Sequence, residues 1–157
     1  MSDKINPFEK KKKGVFFFKS SNPYEFYDLL NGKNMDDKQD VWGTLIFPEN
    51  VKKPCPLIIP IHGSAGLREG HHTHMVNLLD AGFAIFRIHH FESRGVISIV
   101  ENQTEVTLAS MITDAFRALT LVSKHPDVDS DKIGIMGWSL GGSTAFYAAW
   151  QLSLIHI

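Results

Sequence analysis

The stretch Lys132-Ile-Gly-Ile-Met-Gly-Trp-Ser-Leu-Gly-Gly142, continued by Ser143-Thr-Ala-Phe-Tyr-Ala-Ala-Trp150, decides how the rest of the chain is read. Lys132 to Met136 is a short apolar run with two isoleucines, as expected of a buried strand. Residues 142–151 hold no proline and are rich in alanine, as expected of a helix. Only Gly137-Trp138-Ser139-Leu140-Gly141 lies between, so the backbone must turn sharply at Ser139. Gly137 and Gly141 answer that demand, because side chains two residues either side of the serine would collide across so tight a turn. A Gly-x-Ser-x-Gly match by itself says little, since a chain of this length meets one by chance about one time in twenty at ordinary Gly and Ser frequencies. The strand before it and the helix at once after it give the match its weight: they are the context of a nucleophile elbow. The helix N-terminus behind Ser139 also favours negative charge developing there.

Upstream of the turn the pattern repeats. Residues 57–61 (Leu-Ile-Ile-Pro-Ile) form a continuous apolar run, expected of a strand covered on both faces. A helix is expected over 70–81, with Met75, Leu78 and Leu79 at helical spacing and Gly82 at its end. Residues 83–88 read as the next buried strand. A long helix is expected over about 101–124, where Leu108, Ile112, Ala115, Phe116, Leu119 and Val122 keep a 3.6-residue period. His125-Pro126 breaks it. Alternating strands and helices specify an α/β fold with a mostly parallel sheet. Residues 40–47 add a further strand; before it, 15–18 and 23–30 suggest a short strand and a short helix. The division expected is 1–39 as an N-terminal extension, 40–151 as the α/β domain, and 152–157 as a separate tail.

Parallel sheets of this kind collect their chemistry at the carboxyl ends of the strands. Three loops emerge there: His62 to Gly66, His89 to Gly95, and Gly137 to Gly141. Ser139 is the candidate catalytic nucleophile. Acyl transfer also needs donors for the oxyanion. The Leu140 N–H supplies one, and the other is expected from Ser64, or from Ala65 next to it. Gly63 lets that loop approach closely. Arg94 and Glu92 are candidate substrate contacts on the same rim, with loop pinning as the alternative for Arg94. Asp114, Asp127, Asp129 and Asp131 read as helix-face and turn residues.

With 157 residues, 43% hydrophobic and 21% charged, the chain is of ordinary globular composition. A net charge of −1 gives no footprint for nucleic acid. No stretch approaches the roughly 18 apolar residues of a membrane span, and no signal-peptide core opens the chain, so a cytoplasmic location is the default. Lys10 to Lys13 reads as a solvated basic run, and the single cysteine, Cys55, as a packing residue. His71, His72 and His74 could place two imidazoles on one helical face. No cysteine or carboxylate completes a ligand set with them, so no metal and no cofactor is expected.

Residues 40–151 resemble the N-terminal half of the dienelactone hydrolase family, within the α/β-hydrolase superfamily. The resemblance rests on residues 60–66 (Pro-Ile-His-Gly-Ser-Ala-Gly), 91–96 (Phe-Glu-Ser-Arg-Gly-Val), 125–129 (His-Pro-Asp-Val-Asp) and the Ser139 stretch. It implies hydrolysis of a small-molecule ester or lactone through an acyl-enzyme, with an acid and a histidine following the nucleophile along the chain. Members with cysteine at the elbow are best known; serine here resembles the esterase-like and peptidase-like branches. Many relatives carry an aspartate near His89-His90.

Residues 140–157 contain no Asp or Glu, and their one histidine is His156. The chain is therefore expected to be incomplete at its C-terminus and inactive alone. Leu152 to Ile157 read as the in-frame translation of a transposon-end adapter. A non-catalytic binding module or a serine peptidase are the alternative readings.

Overall fold

The computed structural model describes residues 7–9 and 11–155, with side chains described as far as Trp150. The order is β1 (Gly14–Ser20), α1 (Phe26–Asn31), β2 (Gln39–Ile46), β3 (Cys55–Ile61), α2 (Glu69–Asp80), β4 (Ala84–Ile88), α3 (Leu108–Val122), β5 (Val128–Gly137) and α4 (Leu140–Ile155). Helix α4 thus runs into the expected tail; His156 and Ile157 lie outside the described residues.

The five strands form one sheet in the order β1-β2-β4-β3-β5. Its two halves differ. β4, β3 and β5 run parallel, whereas β1 and β2 pair antiparallel with each other and β2 pairs antiparallel with β4. The sheet is therefore mixed. Its parallel half is the one the strand–helix alternation specifies, because parallel neighbours need long crossovers. Residues 14–20, read as part of an extension, pair with β2 along their whole length.

The register lines up the strand ends. Ile61 sits opposite Gly137, and Leu57 and Ile58 sit opposite Ala84 and Ile85. The chain consequently leaves β3, β4 and β5 on the same edge. Leu57, Ile59 and Ile61 of β3 are buried with Ala84, Phe86 and Ile88 of β4. Met111, Ala115, Ala118 and Val122 of α3 join this core. Cys55 is part of it too, and burial pushes its thiol pKa up.

Two element starts depart furthest from the sequence pattern. Helix α3 starts at Leu108 rather than near 101, because the Thr107 hydroxyl accepts the Ser110 N–H and caps it. Just upstream, the Asn102 side chain accepts both the Thr104 N–H and hydroxyl, closing a turn. β5 begins at Val128, four residues before the apolar run, because Val128 pairs with Cys55. Among the described residues no helix is long and apolar enough to cross a membrane.

Candidate active site

Ser139 lies in the two-residue step, Trp138-Ser139, between the end of β5 and the start of α4, with φ at 53°. A non-glycine residue there is uncommon and strained. Close backbone packing holds it. A Cβ on Gly137 would come 2.0 Å from the Gly141 carbonyl oxygen, and one on Gly141 would come 2.1 Å from that of Ile61. Trp138 donates its N–H to the Ile61 oxygen at 3.1 Å, so the turn is bolted to the end of β3. Ser139 is exposed at the summit. Leu140 opens α4, so its N–H belongs to the first-turn donors without an intrahelical partner.

Beside this summit runs the loop after β3. Gly63 is what lets it come close, since a Cβ there would sit 3.0 Å from the Trp138 oxygen and 3.1 Å from the Ser139 Cβ. Two of its carbonyls, those of Gly63 and Ser64, are engaged. The Gly63 oxygen accepts from Gly66 N–H and His62 Nδ1, both at 3.0 Å. The Ser64 oxygen accepts from Ile99 N–H at 2.8 Å and from the Ser98 hydroxyl at 3.3 Å. In a trans peptide the N–H points opposite to the C=O. The Ser64 and Ala65 N–H groups are thus turned away from those partners, and neither donates to another described residue. A cleft of about 260 Å³ lies over Ser139, bounded by Gly63, Ser64, Ala65, His71, Val100 and Trp138.

His71 was not singled out by the sequence except as a metal candidate. Its ring stacks on Trp138, with centroids 4.3 Å apart and planes 17° apart, and His74 lies one turn on at 5.8 Å. Two histidines three apart on one helix face were the only signal for this clasp. Among the described residues no group of three or more His, Cys, Asp or Glu is arranged to hold a metal ion.

Arg94 is committed inward. Its guanidinium grips Asp114 through two bonds, of 2.8 and 3.0 Å, and also reaches the His90 carbonyl and Asn22. These contacts describe the loop-pinning alternative. Asp114 sits on the inner face of α3, where it is fully buried, and it also accepts from the Ser20 hydroxyl and from His90 Nδ1 at 2.8 Å. Burial pushes the Asp114 carboxyl upward, yet the His90 hydrogen bond and the Arg94 charge outweigh it and hold it below the usual value. Next to this pin, His62 packs edge-on against His90, and burial, then the His90 charge, lowers it to about 4. The Nε2 atoms of both histidines are buried without a partner among the described residues. Glu92 takes Arg87 Nη2 at 2.8 Å, and the His89 hydrogen bond holds its carboxyl at about 2. It lines a neighbouring cleft with Arg68 and Arg87, behind Ala65 and Gly66.

A mixed sheet in this order, with loops gathered at the ends of its parallel strands, is the α/β-hydrolase fold. Within that class, the chain belongs to the BD-FAE family, whose model matches residues 44–153. No curated protein matches the chain. Among solved structures it is similar to Est1E from Butyrivibrio proteoclasticus with ferulic acid bound, at 27% identity and TM-score 0.58, covering 73% of this chain and 45% of that one. A dienelactone hydrolase-like promiscuous phosphotriesterase, P91, from metagenomic libraries matches at 18% identity and TM-score 0.59, covering 87% and 54%. A bacterial heroin esterase matches at 17% and 0.62, covering 94% and 42%. The structural neighbours are thus esterases and hydrolases of the dienelactone hydrolase type. The chain spans about half the length of these structures.

Proposed function

We propose that Ser139 is the nucleophile of a serine hydrolase that cleaves a small-molecule ester or lactone through an acyl-enzyme. The observation that carries this reading is the serine at φ 53°, exposed between a parallel strand and a helix whose flanking glycines touch backbone. That is the strained strand–turn–helix geometry a nucleophile elbow requires. In the reaction the Ser139 oxygen bonds to the substrate carbonyl carbon and its proton passes to a base. The carbonyl oxygen becomes an oxyanion, held by the Leu140 N–H and by that of Ser64 or Ala65. The alcohol then leaves with a proton, and water releases the acid from Ser139.

Residues 140–157 hold no carboxylate, and the similar structures are about twice as long. The acid and the histidine base are therefore proposed to come from chain beyond residue 157. Residues 1–157 alone should not turn over a nitrophenyl ester above background. In the full-length protein, Ser139→Ala should lower turnover by roughly 10⁴-fold or more, and an alkyl fluorophosphonate should add its mass to the peptide containing Ser139. Undiminished turnover in Ser139→Ala would overturn the assignment.

A further inference from the structure

The wall of the Ser139 cleft contains one side chain whose chemistry the proposed reaction leaves unused. The backbone N–H of Arg68 donates to His71 Nδ1 at 3.1 Å. An imidazole nitrogen that accepts carries no proton, so the hydrogen of the neutral ring is on Nε2. The ring cannot swing to another partner without breaking that bond and its stack on Trp138. Nε2 makes no hydrogen bond to any described residue, and it is not among the buried polar atoms left unpaired. Burial of the ring, with His74, His72 and Arg68 nearby, keeps His71 below the ordinary imidazole pKa. The residue that carries this fixed, accessible donor therefore lines the same cleft as Ser139 and the Ser64–Ala65 loop.

We infer that His71 is a specificity-determining contact, whose Nε2–H donates to an oxygen acceptor (ether, hydroxyl or carbonyl) on the substrate close to the scissile ester. The inference rests on Ser139 being the nucleophile and narrows the substrate class to esters bearing such an acceptor.

Two isosteric pairs test it in the full-length protein. 4-Nitrophenyl butanoate and methoxyacetate differ by an ether oxygen in the acyl group; butyl and 2-methoxyethyl acetate differ by one in the alcohol. His71→Phe keeps a ring to stack on Trp138 but has no donor, while His71→Gln keeps an N–H near the Nε2 position. For at least one pair, His71→Phe should lower kcat/KM for the oxygen-bearing ester by about three- to tenfold, the range of one neutral hydrogen bond. Its CH₂ counterpart should change by less than about twofold, and His71→Gln should retain the wild-type preference. Comparing ratios within a pair removes differences in intrinsic reactivity and any general loss of folded protein. Equal losses for both members of both pairs, or no change in either, would overturn the inference. Should His71→Phe not fold, loss of the preference in His71→Asn, which has an acceptor near Nδ1 and no Nε2 donor, reads the same outcome. Failure of the nucleophile assignment looks different, because Ser139→Ala would then retain activity on all four esters.

Discussion

Holding Ser139 at positive φ costs roughly 1–2 kcal/mol relative to an ordinary backbone conformation. The packing of Gly137 and Gly141 against backbone is what makes the turn persist. Because the obstacle at Gly141 is the Ile61 and His62 carbonyls rather than a mobile side chain, even one methyl group has nowhere to go. Gly141→Ala should therefore destabilise the protein by about 3 kcal/mol, at the upper end for overpacking. Gly70, in the first turn of α2, is the control, since a Cβ added there would meet nothing within 4 Å. Gly70→Ala should be neutral or stabilise by up to about 1 kcal/mol. Urea denaturation of the two variants checks both. Asp114 makes the opposite kind of point, since its removal leaves the Arg94 charge without its carboxylate and the buried His90 Nδ1 without its acceptor. Asp114→Ala should cost about 3–5 kcal/mol in the same assay.

At the scale of elements, legibility followed the range of the interaction that sets each one. The β5 turn and α4 were readable because glycine spacing, strand and helix all lie within twenty residues. The start of α3 was not. Glu101, Gln103 and Glu105 are good helix formers, but Asn102 and Thr107 capture the backbone with their side chains instead. Thr107→Ala should lower stability by about 1 kcal/mol, measured by thermal or urea unfolding, as its hydroxyl also reaches the Pro23 carbonyl. The pin under the site was invisible for a different reason. Ser20, His90, Arg94 and Asp114 come from β1, the loop after β4, and α3, and no local pattern ties residues up to 94 positions apart. Likewise, the antiparallel half of the sheet depends on β1 and β2, whose alternation of buried and exposed residues was too short to show direction.

For the whole molecule, the buried polar floor sets a pH dependence. His62 is neutral in the fold, with its pKa lowered to about 4, whereas the unfolded chain takes up that proton near the ordinary imidazole value. Between those two values the unfolded state binds more protons, so stability is full above about pH 6.5 and falls as the pH drops towards 4. The loss reaches on the order of 3 kcal/mol. Asp114 adds to it in the same direction below its unfolded value, because its carboxyl is also lowered by folding. Chemical denaturation at pH 7, 5.5 and 4 should show the decline, and stability that is flat over this range would refute it.

The order of strands across the sheet also bears on the order in which the protein is made. Strands β1, β2, β4 and β3 lie side by side, and β5 joins outside β3. Every partner in the Asp114 pin has left the ribosome's point of synthesis before Ser139 is added. In a growing chain the residues of the four-stranded platform and its buried floor are thus all added before the serine turn. The strained serine turn is the last of these pieces to be made, and the Ile61 carbonyl that receives its Trp138 N–H is added 77 residues earlier.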